Sequence, residues 1–195
     1  MSKPAARRRI LVIDGHPDPD PSHFVHALAD AYCAGAAEHE VELLRIADLD
    51  FPILRNPGPW LNEPPHPTIA AVQEQLRKAE HVVLFYPLWL GDAPALVKAF
   101  LEQVLRPGFA FEYVDRGLPK KLLKGRSARV VVTMGMPALF YRLFFGAHSV
   151  KILERNILRF VGFRPVEHSI IGSVEDAENR SKWLGRMKEL GAEGK

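Results

Sequence analysis

Val82, Val83, Leu84, Phe85 and Tyr86 form an unbroken apolar run rich in β-branched and aromatic residues. A strand with one wet face alternates apolar and polar side chains. An unbroken run therefore needs cover on both faces, the condition of a strand inside a parallel sheet. Pro87, Gly91 and Pro94 then punctuate the chain, and Ala95, Leu96, Ala99, Phe100 and Val104 follow at helical spacing. The stretch from His81 to Lys98 thus predicts a strand, a shaped loop and a helix. Parallel strands can be joined only by crossovers, so more such units must lie elsewhere in the chain.

Four further runs supply them. Ile10, Leu11, Val12 and Ile13 end at Asp14 and Gly15, and an apolar stripe of Phe24, Val25, Leu28, Ala29 and Tyr32 follows Ser22, a residue type that favours the N-cap. Val41, Leu43 and Leu44 give a second strand, Val130, Val131, Val132 and Thr133 a fourth, and Val166, Ile170 and Ile171 a fifth. Helical stripes precede the third strand from Thr68 to Ala79, run from Val150 through Phe160 to Gly162, and close the chain with Trp183, Leu184, Met187 and Leu190. Phe109, Phe111 and Tyr113 have the period of a short extended segment. The proline-rich stretch from Phe51 to Pro67 reads as an irregular excursion, and Lys120 and Lys121 as a solvated connector. Five strands alternating with five helices predict an α/β, doubly wound parallel sheet of order 2-1-3-4-5, with helices on both faces.

With 195 residues and 47% apolar content, one core suffices. We expect a basic, disordered arm over residues 1–9 and a single domain over 10–195. The net charge of +3 leans on Lys3, Arg7, Arg8 and Arg9 of that arm, which argues against a folded nucleic-acid-binding face. One cysteine, Cys33, rules out an internal disulfide or a cysteine-rich metal site. No apolar run reaches the roughly 18 residues of a spanning helix, and a cytoplasmic protein is expected.

Three strand-end loops carry unusual residues: His16 to Phe24, Pro87 to Pro94, and Met134 to His148. In the predicted order their strands are neighbours, so the loops would border one crevice. The first feeds a helix N-terminus, whose unpaired amides and dipole favour an anion such as phosphate, with Ser22 and His23 as donors. Pro87, Leu88, Trp89 and Leu90 suit a flat, partly apolar ligand. Neither a P-loop consensus nor G-x-G-x-x-G is present.

Five motifs in this order, G-H-P-D-P-D-P-S-H-F, Y-P-L-W-L-G-D-A-P-A-L-V-K-A-F, G-F-A-F-E-Y, T-M-G-M-P-A-L-F-Y and I-L-R-F-V-G-F, cover most of the chain. By them the chain resembles the flavodoxin-like NAD(P)H:quinone oxidoreductases, especially the short bacterial ones that include the ancillary subunit of a potassium efflux system. The resemblance implies a flavodoxin-like fold and a flavin whose phosphate is held by His16, Ser22, His23 and Phe24, with Asp18 and Asp20 turned away or on a ribityl hydroxyl. It places Pro87, Leu88, Trp89 and Leu90 on one edge of the ring system and Thr133, Met134 and Gly135 on the other. Phe111 and Tyr113 match aromatics that cap the partner's pocket in the family's homodimers, while Phe160 and Met136 would line the substrate pocket. Tyr141 and His148 match a pair that relays a proton in catalysis. Trp89 stands where the family commonly has glutamine, and Met136 where it has a second glycine.

The implied activity is two-step hydride transfer from NADH or NADPH through bound flavin to a quinone or similar aromatic acceptor. FMN is favoured over FAD because little chain follows Gly191. Two other readings remain open. His16, Pro17 and Asp18 are similar to the first metal-binding loop of zinc-dependent N-deacetylases, although Pro19 replaces the second aspartate of that motif. Alternatively, the protein binds flavin as a carrier or regulatory subunit without turnover. The sequence leaves a membrane-protein partner open.

Overall fold

The five apolar runs become five parallel strands. The computed structural model describes residues 7–195. In chain order its elements begin with β1 (Arg9–Asp14), α1 (Phe24–Gly35), β2 (Glu40–Arg45), α2 (Pro57–Asn62), α3 (Pro67–Lys78), β3 (His81–Pro87), α4 (Ala95–Val104), β4 (Phe111–Glu112) and β5 (Lys120–Lys121). They continue with β6 (Ser127–Thr133), α5 (Ala138–Leu143), α6 (His148–Lys151), a π-helical turn over Ile152–Leu158, α7 (Arg159–Val161), β7 (Val166–Ile171) and α8 (Ala177–Glu193). The main sheet has the order β2-β1-β3-β6-β7, all parallel, which is the predicted 2-1-3-4-5 once the small antiparallel pair β4–β5 is set aside.

Every residue of β3 and β6 is buried, as an unbroken apolar run demands. Alternate residues serve opposite faces. Leu11, Ile13, Val82, Leu84, Val130 and Val132 pack beneath α3, α4 and the α6–α7 segment. Ile10, Val12, Val83, Phe85 and Val131 pack against α1 and α8. The chain leaves β1 toward β2 on one side and returns to β3 on the other, so the topological switch lies between β1 and β3. No helix among the described residues is long and apolar enough to cross a membrane.

Three local expectations need correction. Residues 1–6 of the basic arm lie outside the described residues, but Arg8 and Arg9 are not part of a free arm. The Arg8 guanidinium donates to the Gly194 carbonyl at 2.6 Å, and Arg9 opens β1 opposite Glu40. The proline-rich excursion contains α2, because prolines fit the first helical turn and the Asn56 side chain caps it by accepting the Gly58 N–H at 3.1 Å. Lys120 and Lys121 form β5 against β4, with the Lys120 ammonium on the Glu112 carboxylate at 2.9 Å.

Helices α1 and α8 meet through glycine. A Cβ on Gly191 would lie 2.2 Å from the Tyr32 carbonyl, and one on Gly35 would lie 2.0 Å from that of Lys188. Backbone on both sides leaves nothing flexible to move aside. Gly191→Ala should therefore destabilise the domain by about 1–3 kcal/mol, lowering the thermal midpoint by about 3–10 °C in a melt followed by circular dichroism.

Candidate functional site

The first loop is organised by its own carboxylates. Asp18 Oδ1 accepts the Asp20 N–H at 3.0 Å, and Asp20 Oδ1 accepts the Ser22 N–H at 2.9 Å. Asp18 Oδ2 meets the His23 ring at 3.0 Å, and the His16 and His23 rings stack at 3.8 Å. The carboxylates of Asp18 and Asp20, expected to turn away or to meet a ribityl hydroxyl, are engaged by the loop's own amides and by the His23 ring. Hydrogen bonding to His23 holds the Asp18 pKa below the usual carboxylate range, and bonding to Ser22 does the same for Asp20.

The N-cap of α1 is His23 and not Ser22, because α1 begins at Phe24, and no side chain caps it. The Phe24 side chain does not face the loop. It is buried in the α1–α8 core with the Arg180 guanidinium 4.6 Å above its ring, which leaves only its backbone amide for a ligand. The His26 and Ala27 N–H groups donate to the His23 carbonyl at 3.1 and 3.4 Å, which leaves the Phe24 and Val25 amides without a partner at the helix start.

The second loop continues the sheet. Pro87 is buried at the end of β3 opposite Thr133, and the Leu88 N–H donates to the Thr133 carbonyl at 2.8 Å. Trp89 and Asp92 then exchange backbone hydrogen bonds of 2.9 and 3.0 Å around Leu90 and Gly91, whose φ angles are 48° and 83°. Two positive φ values define a hairpin turn that prefers Asn or Gly, so leucine at its first position is strained. Leu90 is 107% exposed and Trp89 49% exposed. The His16 and Trp89 rings stand nearly perpendicular with their centroids 5.8 Å apart, joining the first two loops.

In the third loop Thr133 and Met134 are buried and Gly135 is exposed. A Cβ on Gly135 would meet nothing within 4 Å, so the chain faces open space there. Met136 is half-buried, and its carbonyl accepts the Ser173 N–H at 3.1 Å. Tyr141 and His148 are not a hydrogen-bonded pair. Tyr141 is 1% exposed, its hydroxyl lies beside Ser149 and Val150 and not His148, and burial raises its pKa. His148 is exposed at the start of α6, with its ring folded back toward Gly146.

The remaining aromatics form a separate group. Phe111 contacts Tyr113 at 5.3 Å, Phe160 at 5.1 Å and Trp60 at 6.1 Å. With Leu101 and Leu105 these four line a cavity of about 290 Å³ that includes no residue of the three loops. Met136 is therefore not in one pocket with Phe111, Tyr113 and Phe160.

The sequence reading missed the buried charges under the first loop. Asp14, 0% exposed at the end of β1, meets the His26 ring at 2.5 Å and lies 3.7 Å from the Arg45 guanidinium. The available signal was a carboxylate closing an apolar strand, which demands a buried partner. Among the described residues, no group of three or more His, Cys, Asp or Glu side chains could hold a metal ion. Relief of the turn strain gives a first test of the site: Leu90→Asn should raise stability by about 1 kcal/mol, a gain of about 2–4 °C in the melting temperature.

The chain also has relatives among known proteins. A model of the family described as having a flavodoxin-like fold matches residues 8–190. An FMN-dependent NADH:quinone oxidoreductase from Bordetella avium is 30% identical over 62% of this chain and 60% of its own length. Another of that name, from Pseudomonas fluorescens, is 30% identical over 67% of this chain and 70% of its own. The aligned regions span about half the length of further curated relatives. The structure of an NAD(P)H:quinone oxidoreductase from Methanothermobacter marburgensis superposes with a TM-score of 0.81 at 21% identity, covering 97% of this chain and 100% of that one. Sequence, sheet order and superposition agree: this chain belongs to the flavodoxin-like fold family.

Proposed function

We propose that this protein is a flavin-dependent oxidoreductase that binds FMN in the crevice between the three loops and uses NADH or NADPH to reduce quinones or similar aromatic acceptors. The observation that carries this reading is the shape of the crevice at the switch point. An exposed apolar wall, Trp89 and Leu90, stands across adjacent strands from a glycine that faces open space, with a helix N-terminus at one end. A flat ring carrying a phosphate tail fits that arrangement. The names of the relatives from Bordetella avium and Pseudomonas fluorescens support both cofactor and acceptor.

In this reading the amides at the start of α1, with His16, Ser22 and His23, hold the phosphate. Pro87, Leu88, Trp89 and Leu90 support one edge of the ring system, and Thr133, Met134 and Gly135 the other. Bound there, FMN supplies two-electron redox chemistry between a nicotinamide and the acceptor. The protein contributes position, exclusion of water and a proton source. His148, exposed at the start of α6, and Tyr141, buried in α5, are the residues of this reading that supply the proton. Met136 narrows the substrate face. In a homodimer, Phe111 and Tyr113 cap the partner's crevice, and Phe160 lines the substrate pocket beside them; that their own cavity shares no residue with the three loops supports this assignment. A cytoplasmic location completes the proposal.

Purified protein should be yellow or become so with added FMN, and anaerobic NADH or NADPH should bleach it, with colour returning on addition of a quinone. A colourless protein that carries zinc would overturn the reading in favour of hydrolysis, and a flavin that neither nicotinamide bleaches would make the protein a carrier. Charge at the helix start should matter in both directions. Ser22→Asp should abolish FMN retention, whereas Asp20→Asn, which removes a like charge, should tighten FMN about fivefold in a fluorescence titration.

A further inference from the structure

The first loop is anchored from beneath by a closed circuit of buried polar groups. Asp14 Oδ1 accepts the His16 N–H at 3.1 Å. Asp14 Oδ2 meets His26 Nδ1 at 2.5 Å, and His26 Nε2 meets the Asp18 carbonyl at 2.9 Å. The circuit runs from the end of β1 through the third residue of α1 to two points on the loop. His26 is only 3% exposed. Its two ring nitrogens face a carboxyl oxygen and a carbonyl oxygen, an arrangement that favours the doubly protonated ring, which can donate to both.

We propose that the Asp14–His26 ion pair is a positioning device for the phosphate of the cofactor, holding the His16–Ser22 loop in the form that leaves the α1 amides open to an anion. The proposal rests on the FMN reading above and deepens it. His26 does not need to touch the ligand to act. Its clamp on the Asp18 carbonyl fixes the residue whose carboxylate orders the Asp20 amide and the His23 ring. Its charge offsets that of Asp14, which otherwise keeps only the His16 amide and the Arg45 guanidinium, 3.7 Å away, to balance a buried anion behind the phosphate. Loss of the imidazolium charge therefore acts on FMN, which carries a phosphate, and not on riboflavin, which lacks one.

The direction of the pH effect follows. Burial opposes the charged form of His26, but the Asp14 carboxylate and the Asp18 carbonyl outweigh it and raise the pKa above the ordinary histidine value. The other groups facing the pair are His16 and Asp18 from the loop, His23 from the start of α1, and Arg45 from the end of β2, which lowers the His26 pKa slightly. Burial also depresses the His16 pKa below the ordinary histidine value. A raised folded-state pKa means that the clamp is complete at low pH and is lost as pH rises through that pKa.

The test is a flavin fluorescence titration of FMN and riboflavin in parallel, from pH 6.5 to 9, on wild type, His26→Gln and the double variant Asp14→Asn/His26→Gln. His26→Gln is expected to weaken FMN about tenfold at the acid end, the scale of a lost charged hydrogen bond, with riboflavin unchanged. Removing the stranded carboxylate in the double variant should recover most of that loss. In wild type the FMN-to-riboflavin affinity ratio should fall toward alkaline pH, and in His26→Gln it should stay flat. A parallel loss of both flavins, or no loss of either, overturns the positioning role. If His26→Gln does not fold, the wild-type pH series decides alone, and a flat ratio overturns the proposal. Wild type that binds neither flavin overturns the FMN reading itself.

Discussion

At the end of β1 the Gly15 N–H donates to the Phe85 carbonyl at 2.7 Å, carrying the β1–β3 ladder one residue past the strands. A Cβ on Gly15 would stand 2.6 Å from that oxygen, so only glycine permits the approach. On the other flank the Leu88 N–H does the same to the Thr133 carbonyl at 2.8 Å. The three loops thus depart from backbones already bonded to one another. Their spacing is that of neighbouring strands, roughly 4.8 Å, and a flat ligand laid across them meets a preformed wall.

Charge shapes the rest of the crevice. A carboxylate as buried as Asp14 is tolerated only with partners, and three serve it: the His16 amide, the His26 ring and the Arg45 guanidinium. The exposed carboxylates of Asp18 and Asp20 follow the opposite logic, turning inward to occupy loop amides that would otherwise be free. The loop is therefore held from below by an ion pair and from above by local caps. The unpaired amides that remain are those of Phe24 and Val25, since the next two donate to the His23 carbonyl, and there the α1 dipole also favours an anion.

The sheet was legible because its signal is local. Runs such as Val82 to Tyr86 declare burial on both faces without reference to any other residue, and Pro87 and Gly91 declare the turn. The site was legible only as a set of loops. Within them, Ser22 looked like the N-cap because of its residue type, but the Asp18–Ser22 turn carries the chain one residue further, and His23 takes the N-cap place. Phe24 looked available beside the loop, yet helix phase turned its ring into the core. Tyr141 and His148 were close in sequence, but the left-handed turn at Ala147 starts a new helix between them, leaving one buried and the other exposed. Short elements such as α2 and α5 escaped because a six-residue helix carries too little periodicity to stand out.

The sequence by itself determined the class of fold, the number of core strands and the identity of the three loops, because hydrophobic period and helix-breaking residues act within a few positions of themselves. Only the tertiary structure decided which residues share a site. It brought Asp14 to His26 and Arg45, set the His16 ring against Trp89, and separated the Phe111, Tyr113 and Phe160 cluster from the crevice. Those relations depend on strand order and on helix phase. Both come from packing the whole sheet between its two layers of helices, and no short stretch of the chain encodes them.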